Sequence, residues 1–181
     1  MARQAPRPDF LTRFGRDRGG VSAIEFALIA PVVILLYLGL AEFSQGYMAQ
    51  KRVAHAASMV ADLTARRNSL TQDQIGDILA IGQLIMRPYP TDTLTQRVAS
   101  VTRVSSSEVK IDWQVGNTTA LDATTLNIPD GMIANGETVI ISETGYDYDS
   151  PVDYVLETLT HLSHRTYLRP REIDFIPCTD C

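Results

Sequence analysis

The sequence predicts an α+β protein: a long N-terminal transmembrane helix leading into a small antiparallel sheet with covering helices. Three observations carry this. An apolar run from residue 21 is long enough for a bilayer, a helical stripe of small residues follows it, and the second half alternates apolar and polar residues at the period of strands. At 181 residues, 45% hydrophobic and 20% charged, the chain has the length and composition of one folded domain with an extension.

The first element is the apolar run. From Phe26 to Ala41 no side chain is charged, and the helix-compatible stretch covers residues 21–48, interrupted by Glu25, Glu42 and Gln45. About 20 residues at ~1.5 Å each span a hydrocarbon core. Residues 1–20 carry five Arg against two Asp, whereas only Lys51 and Arg52 closely follow the run. Basic flanks stay cytoplasmic. The expected division is therefore a basic cytoplasmic leader over 1–20, a membrane segment over 21–48, a helix continuation over 49–67 and an extracytoplasmic domain over 68–181. A removable secretory signal cut after the small-x-small triplet Gly39-Leu40-Ala41, and an apolar core helix of a soluble protein, remain the competing readings. Residues 21–181 carry eleven Lys/Arg against nineteen Asp/Glu, net −8, which argues against nucleic acid as a partner.

The later elements follow in order. Ala49, Val53, Ala56, Ala57, Val60, Ala61 and Leu63 recur at helical spacing. Thr71-x-x-Gln74 is a capping-box signature opening a second helix, with Ile75, Ile78, Leu79, Leu84 and Ile85 expected on its buried side and Pro88 and Pro90 ending it. Val109, Ile111, Trp113 and Val115 mark a strand that pairs with residues 97–104 through Ser105–Ser107. Residues 117–136 read as loop and turn, Glu137–Tyr148 as a strand, Asp153–His161 as helical turns and Arg165–Phe175 as the last strand.

Glu25 is the residue that needs an explanation, because a carboxylate in a membrane span costs on the order of 2.5–3.5 kcal/mol at the centre and less near an end. Cleavage after Gly20 would give Val21 a protonated α-amino group, and residues one and five of the new chain share a helix face. The acid then has a counter-charge, in its own chain or in an adjacent copy. An interfacial glutamate of an ordinary anchor is the plainer alternative. Pro31 removes a backbone donor and should kink the helix.

Gly20-Val21-Ser22-Ala23-Ile24-Glu25-Phe26 resembles the processing site of type IV pilin-like proteins in their tight-adherence (Flp) branch, although Phe26 stands where Tyr is more frequent. Phe14 to Gly20, Ala30-Pro31 and Gly39-Leu40-Ala41-Glu42-Phe43 extend the likeness to the minor pilins called TadE-like. Gly136–Val139, Tyr146–Pro151 and Leu168–Arg171 are loosely similar to how those chains close. The resemblance implies a pilin-like fold and a minor pilin (pseudopilin) cut by a prepilin peptidase between Gly20 and Val21, with Glu25 and Phe26 serving assembly. Its implied partners are that peptidase, the major Flp pilin, other minor pilins, an inner-membrane assembly platform and membrane lipid.

Other constellations are weak. Cys178-x-x-Cys181 suits a short-loop disulfide in an oxidising compartment; a thioredoxin-type role needs a helix start directly after it, and no helical pattern follows. His161 and His164 with the two cysteines have the right softness for zinc but a reversed order and a tight spacing. Asp147, Asp149 and Asp153 lack the glycine and terminal glutamate of a calcium loop. Ser105–Ser107 has no base nearby and no glycine elbow. The sequence gives no reason to expect an enzyme or a cofactor. A permanently anchored assembly scaffold and an exported zinc or redox domain are the alternative functions.

Overall fold

A computed structural model describes residues 19–106, 108–124, 126, 128–129, 131–150 and 161–181. The leader up to residue 18 and the helical turns expected from Asp153 lie outside the described residues. Contacts divide the chain into two compact units, Met1–Ala41 and Glu42–Cys181.

In the first unit the described residues are the opening part of α1, the helix Gly19–Ala65. Most of its large apolar side chains are exposed among the described residues: Leu28 is 70% and Leu36 69% exposed. An apolar helix that covers itself with nothing needs a non-aqueous surrounding or copies of itself.

In the second unit the continuation of α1 packs along a four-stranded antiparallel sheet. Glu42, Gly46, Ala49, Val53, Ala56, Ala57, Val60, Ala61, Thr64 and Ala65 are buried at steps of three and four, the spacing of one helix face. Small side chains predominate on this face, and the helix ends two residues before the expected Arg67. The second helix, α2 (Gln72–Ile85), opens with the expected capping box: Gln74 N donates to Thr71 Oγ1 at 3.3 Å and Thr71 N to Gln74 Oε1 at 3.2 Å. Ile75 and Ile78 are buried, whereas Leu84 points outward and is 56% exposed, contrary to expectation.

The strands are β1 (Thr95–Arg103), β2 (Val109–Gly116), β3 (Thr138–Asp147) and β4 (His161–Leu168), in spatial order β2-β1-β3-β4. Two stretches differ from the sequence expectation. The last strand spans His161–Leu168 and not Arg165–Phe175, because β4 pairs along Ile140–Asp147 while Arg169 turns away to Met132 O and Glu137. Its apolar alternation is poor, which hid its first half. The 117–136 connection is more than a loop: Leu126, Ile128 and Ile133 cover Ala99, Val101, Val139 and Ile141 on the sheet face away from α1. Gly136 has φ +86°, and its N–H donates to Arg103 O at 2.7 Å; that left-handed turn favours glycine.

The face toward α1 and α2 holds the main core of Val60, Leu70, Ile75, Val98, Trp113, Ile140 and Ile176, with a second cluster of Ala49, Val53, Met86, Tyr146, Tyr148 and Leu162. The architecture is α+β, as the sequence predicts.

Candidate functional site

The candidate site is the surface of α1 itself. Gly20, Val21, Glu25 and Phe26 all lie on its first turns and are exposed, Phe26 by 73%. Nothing lies within 4 Å of where a Gly20 Cβ would sit, so the peptide after Gly20 is uncrowded among the described residues. Val21 and Glu25 are one helical step of four apart and share a face. Pro31 lies inside the helix. An 18-residue window here reaches a mean hydropathy of 2.3 with none of it buried. A helix of this length and composition is long and apolar enough to cross a membrane once, which suggests single-pass anchoring.

Sequence reasoning missed two polar features of the second unit. The first is Glu42, read only as an interruption of the apolar run. It is 1% exposed; Ser150 Oγ donates to its Oε1, while Oε2 and the buried Tyr148 hydroxyl have no hydrogen-bond partner among the described residues. The signal was available, since Glu42, Gly46, Ala49 and Val53 continue the buried stripe at helical spacing. The second is a charged trio on the sheet face away from α1. Arg97 is bonded through Nη2 to Glu143 and through Nη1 to Thr119 O, and Arg165 Nη2 donates to Glu143 Oε1 at 2.9 Å. Arg97, Glu143 and Arg165 occupy one cross-strand row of β1, β3 and β4, a juxtaposition that needs the strand register to be known. Burial alone would push the Glu143 carboxyl up; hydrogen bonds and charge from Arg165 and Arg97 more than offset it and hold it below the usual range. The trio borders an open polar pocket of about 340 Å³ with Asp122 and His161 at its edge.

The zinc constellation is not assembled. His161 and His164 belong to β4 and not to a helix end, so their odd spacing sends them to opposite sheet faces. His161 Nδ1 lies 2.7 Å from Asp147 Oδ1, and His164 sits opposite Thr144. Cys178 and Cys181 form a disulfide with Cα atoms 5.6 Å apart. The acidic calcium candidates are separated in use as well: Asp147 faces His161, and Asp153 lies outside the described residues.

The disulfide belongs to a tail that is tied down along its length. Leu70 N donates to Pro177 O at 3.0 Å, Thr179 N to Leu70 O at 3.1 Å and Gln72 N to Asp180 Oδ1 at 2.7 Å. The last of these satisfies a free amide at the start of α2, as a cap does.

No curated protein and no solved structure matches the chain. A family model described as TadE-like protein matches residues 20–62, from the glycine before Val21 to Asp62 on the packed half of α1. That segment, an exposed apolar half followed by a small-residue half seated on a sheet, is the part of the chain that is similar to TadE-like proteins.

Proposed function

We propose that the chain is a non-enzymatic minor pilin (pseudopilin) of a tight-adherence (Flp) pilus, held in the inner membrane with its N-terminus cytoplasmic and its sheet domain outside. In this reading a prepilin peptidase cuts between Gly20 and Val21. The apolar half of α1 then stores the subunit in the bilayer and later packs among the major pilin and sibling minor pilins at an assembly platform. The observation that carries it is the bare apolar helix headed by Gly20, with Glu25 one helical step of four from Val21, inside the family match. A carboxylate there is tolerable when an ammonium at Val21 neutralises it. The disulfide of Cys178 and Cys181 supports an oxidising location for the C-terminal domain, and the arginine-rich leader supports the same orientation.

Intact-mass measurement of the protein taken from membranes tests the processing step. Loss of residues 1–20 is expected. A full-length mass points to a permanently anchored scaffold, and loss of residues 1–41 to a secretory signal; either result removes the pilin reading. Glu25→Ala is expected to insert normally but to be absent from sheared pili. Undiminished incorporation of that variant would break the charge-pairing argument.

A further inference from the structure

We propose that one end of the Glu42–Cys181 unit, formed by Phe43, Tyr47, Lys51 and the turn Arg87–Pro90, rests in the headgroup layer of the bilayer, so that the lipid surface is a partner of the folded domain as well as of the span. This rests on reading the apolar run as membrane-spanning, and it follows from chain connectivity alone. Glu42 is bonded to Ala41, so the residues just after it meet whatever layer ends the hydrocarbon. A core crossed in about 20 residues is bounded on each side by a headgroup layer ~5–8 Å deep, which the next one to two turns of helix traverse. Lys51, one turn further on, reaches back toward it with its Nζ over the Tyr47 ring.

The side chains on those turns suit that layer. Phe43, Tyr47 and Met48 are each more than half exposed. The Phe43 and Tyr47 rings stack with centroids 6.5 Å apart, and Lys51 Nζ lies 5.3 Å from the centre of the Tyr47 ring. Two aromatics and a lysine at successive steps of four form one ridge with an apolar body and a charged end, the arrangement that anchors helices at a membrane surface. The opposite face of the same turns is occupied by the domain, since Glu42, Gly46 and Ala49 are buried in it.

The domain brings a second exposed segment to this level. Tyr89 Oη donates to Gln45 O at 3.1 Å and Arg52 Nη1 to Ile85 O at 2.9 Å, which fixes the segment after α2 beside the helix turns that carry the ridge. Arg87, Pro88 and Pro90 are exposed there. A groove of about 350 Å³ lined by Leu84, Arg87, Tyr89 and Pro90 opens beside them, and the outward Leu84 extends the apolar surface. In water this surface is an uncovered patch; at the headgroup and acyl boundary its apolar part is buried and its charged part solvated. Asp92 and Asp149 lie near Tyr146, which packs in one cluster with Tyr89, so this end carries acids as well as Lys51 and Arg87. The rim therefore fits a zwitterionic lipid surface without requiring anionic lipid.

The test uses the full chain in phosphatidylcholine nanodiscs, spin-labelled in turn at Pro90→Cys, Arg87→Cys, Tyr37→Cys and Val104→Cys. Accessibility to oxygen and to a water-soluble nickel chelate is then compared. Val104 follows the far end of β1, about 30 Å along the strand from Thr95. The expected result is high oxygen accessibility at 37, full nickel accessibility at 104, and at 87 and 90 a loss of nickel accessibility relative to 104. Labels at 87 and 90 as open to nickel as 104, with 37 in lipid, overturn the rim and leave the span intact. A label at 37 that is open to nickel overturns the span reading and the rim with it.

Discussion

Glu143 shows how a single carboxylate comes to matter at the residue scale. Arg97, with a side chain only 10% exposed, and Arg165 both spend hydrogen bonds on it. Its folded pKa lies below its ordinary value, so its contribution is present above the unfolded value of about 4.3 and is lost as pH falls through the folded value. Urea denaturation of the full chain in micelles, followed by the emission of the single tryptophan, Trp113, should therefore show stability falling as pH drops below about 4. Glu143→Gln keeps the shape but leaves two guanidinium groups without their acid, one of them buried. The expected loss at pH 7 is about 2 kcal/mol, with a shallower acid slope than the parent. An unchanged acid slope in that variant would assign the pH dependence to other carboxylates. Nothing in the sequence marked this trio, because its bonded pairs are 46 and 22 positions apart and meet only through strand register. Glu42 differs: its helical spacing was readable, and the apolar run beside it distracted from it.

At the element scale, legibility followed how local each cause was. Both helices were legible because an apolar run, a small-residue stripe and a capping box act within a few residues. Thr71→Ala should accordingly cost about 1 kcal/mol, seen in the urea midpoint, by freeing the Gln74 amide; no measurable loss would mean that Asp180 caps the helix alone. The second strand was legible from alternation, whereas β4 carries His161, Ser163, His164, Arg165 and Thr166 and lies at the sheet edge among the described strands, where polar residues are tolerated and the pattern fades. Close approaches were not legible at all. A Cβ on Gly116 would sit 2.3 Å from Gln96 O and 2.7 Å from Arg97 Cα, both backbone atoms that no rotamer change can clear. Gly116→Ala should therefore spread the ends of β1 and β2 and destabilise by about 2 kcal/mol or more. Amide exchange should rise at Asn117, whose N–H donates to Gln96 O at 3.0 Å. Parent-like exchange there would show that the strand end shifts at little cost.

The largest scale is set by the tail, because it ties the helices to the sheet without being either. Arg171 N donates to Ala65 O at 2.9 Å at the end of α1, Asp180 serves the start of α2, and Trp113 Nε1 on β2 donates to Ile176 O at 2.7 Å. Ile176 itself is fully buried. Two contributions can be separated here. The disulfide closes a loop of sequence separation 3 and so removes little unfolded-state entropy, about 2 kcal/mol at most, while Ile176→Ala should cost about 2–5 kcal/mol through an unfilled core site. Replacing both cysteines by serine is therefore expected to lower the urea midpoint modestly. The same variant should raise exchange selectively at Gln72 and Thr179, whose amides bond Asp180 and Leu70 across the bridge. Ile176→Ala should instead raise exchange across the sheet, Trp113 and its neighbours included. The difference matters for where the domain matures, because the bridge can close only in an oxidising compartment, whereas the isoleucine anchor forms anywhere. If Gln72 and Thr179 stay as protected in the serine variant as in the parent, the tail is held by its buried isoleucine alone, and oxidation is no part of completing the fold.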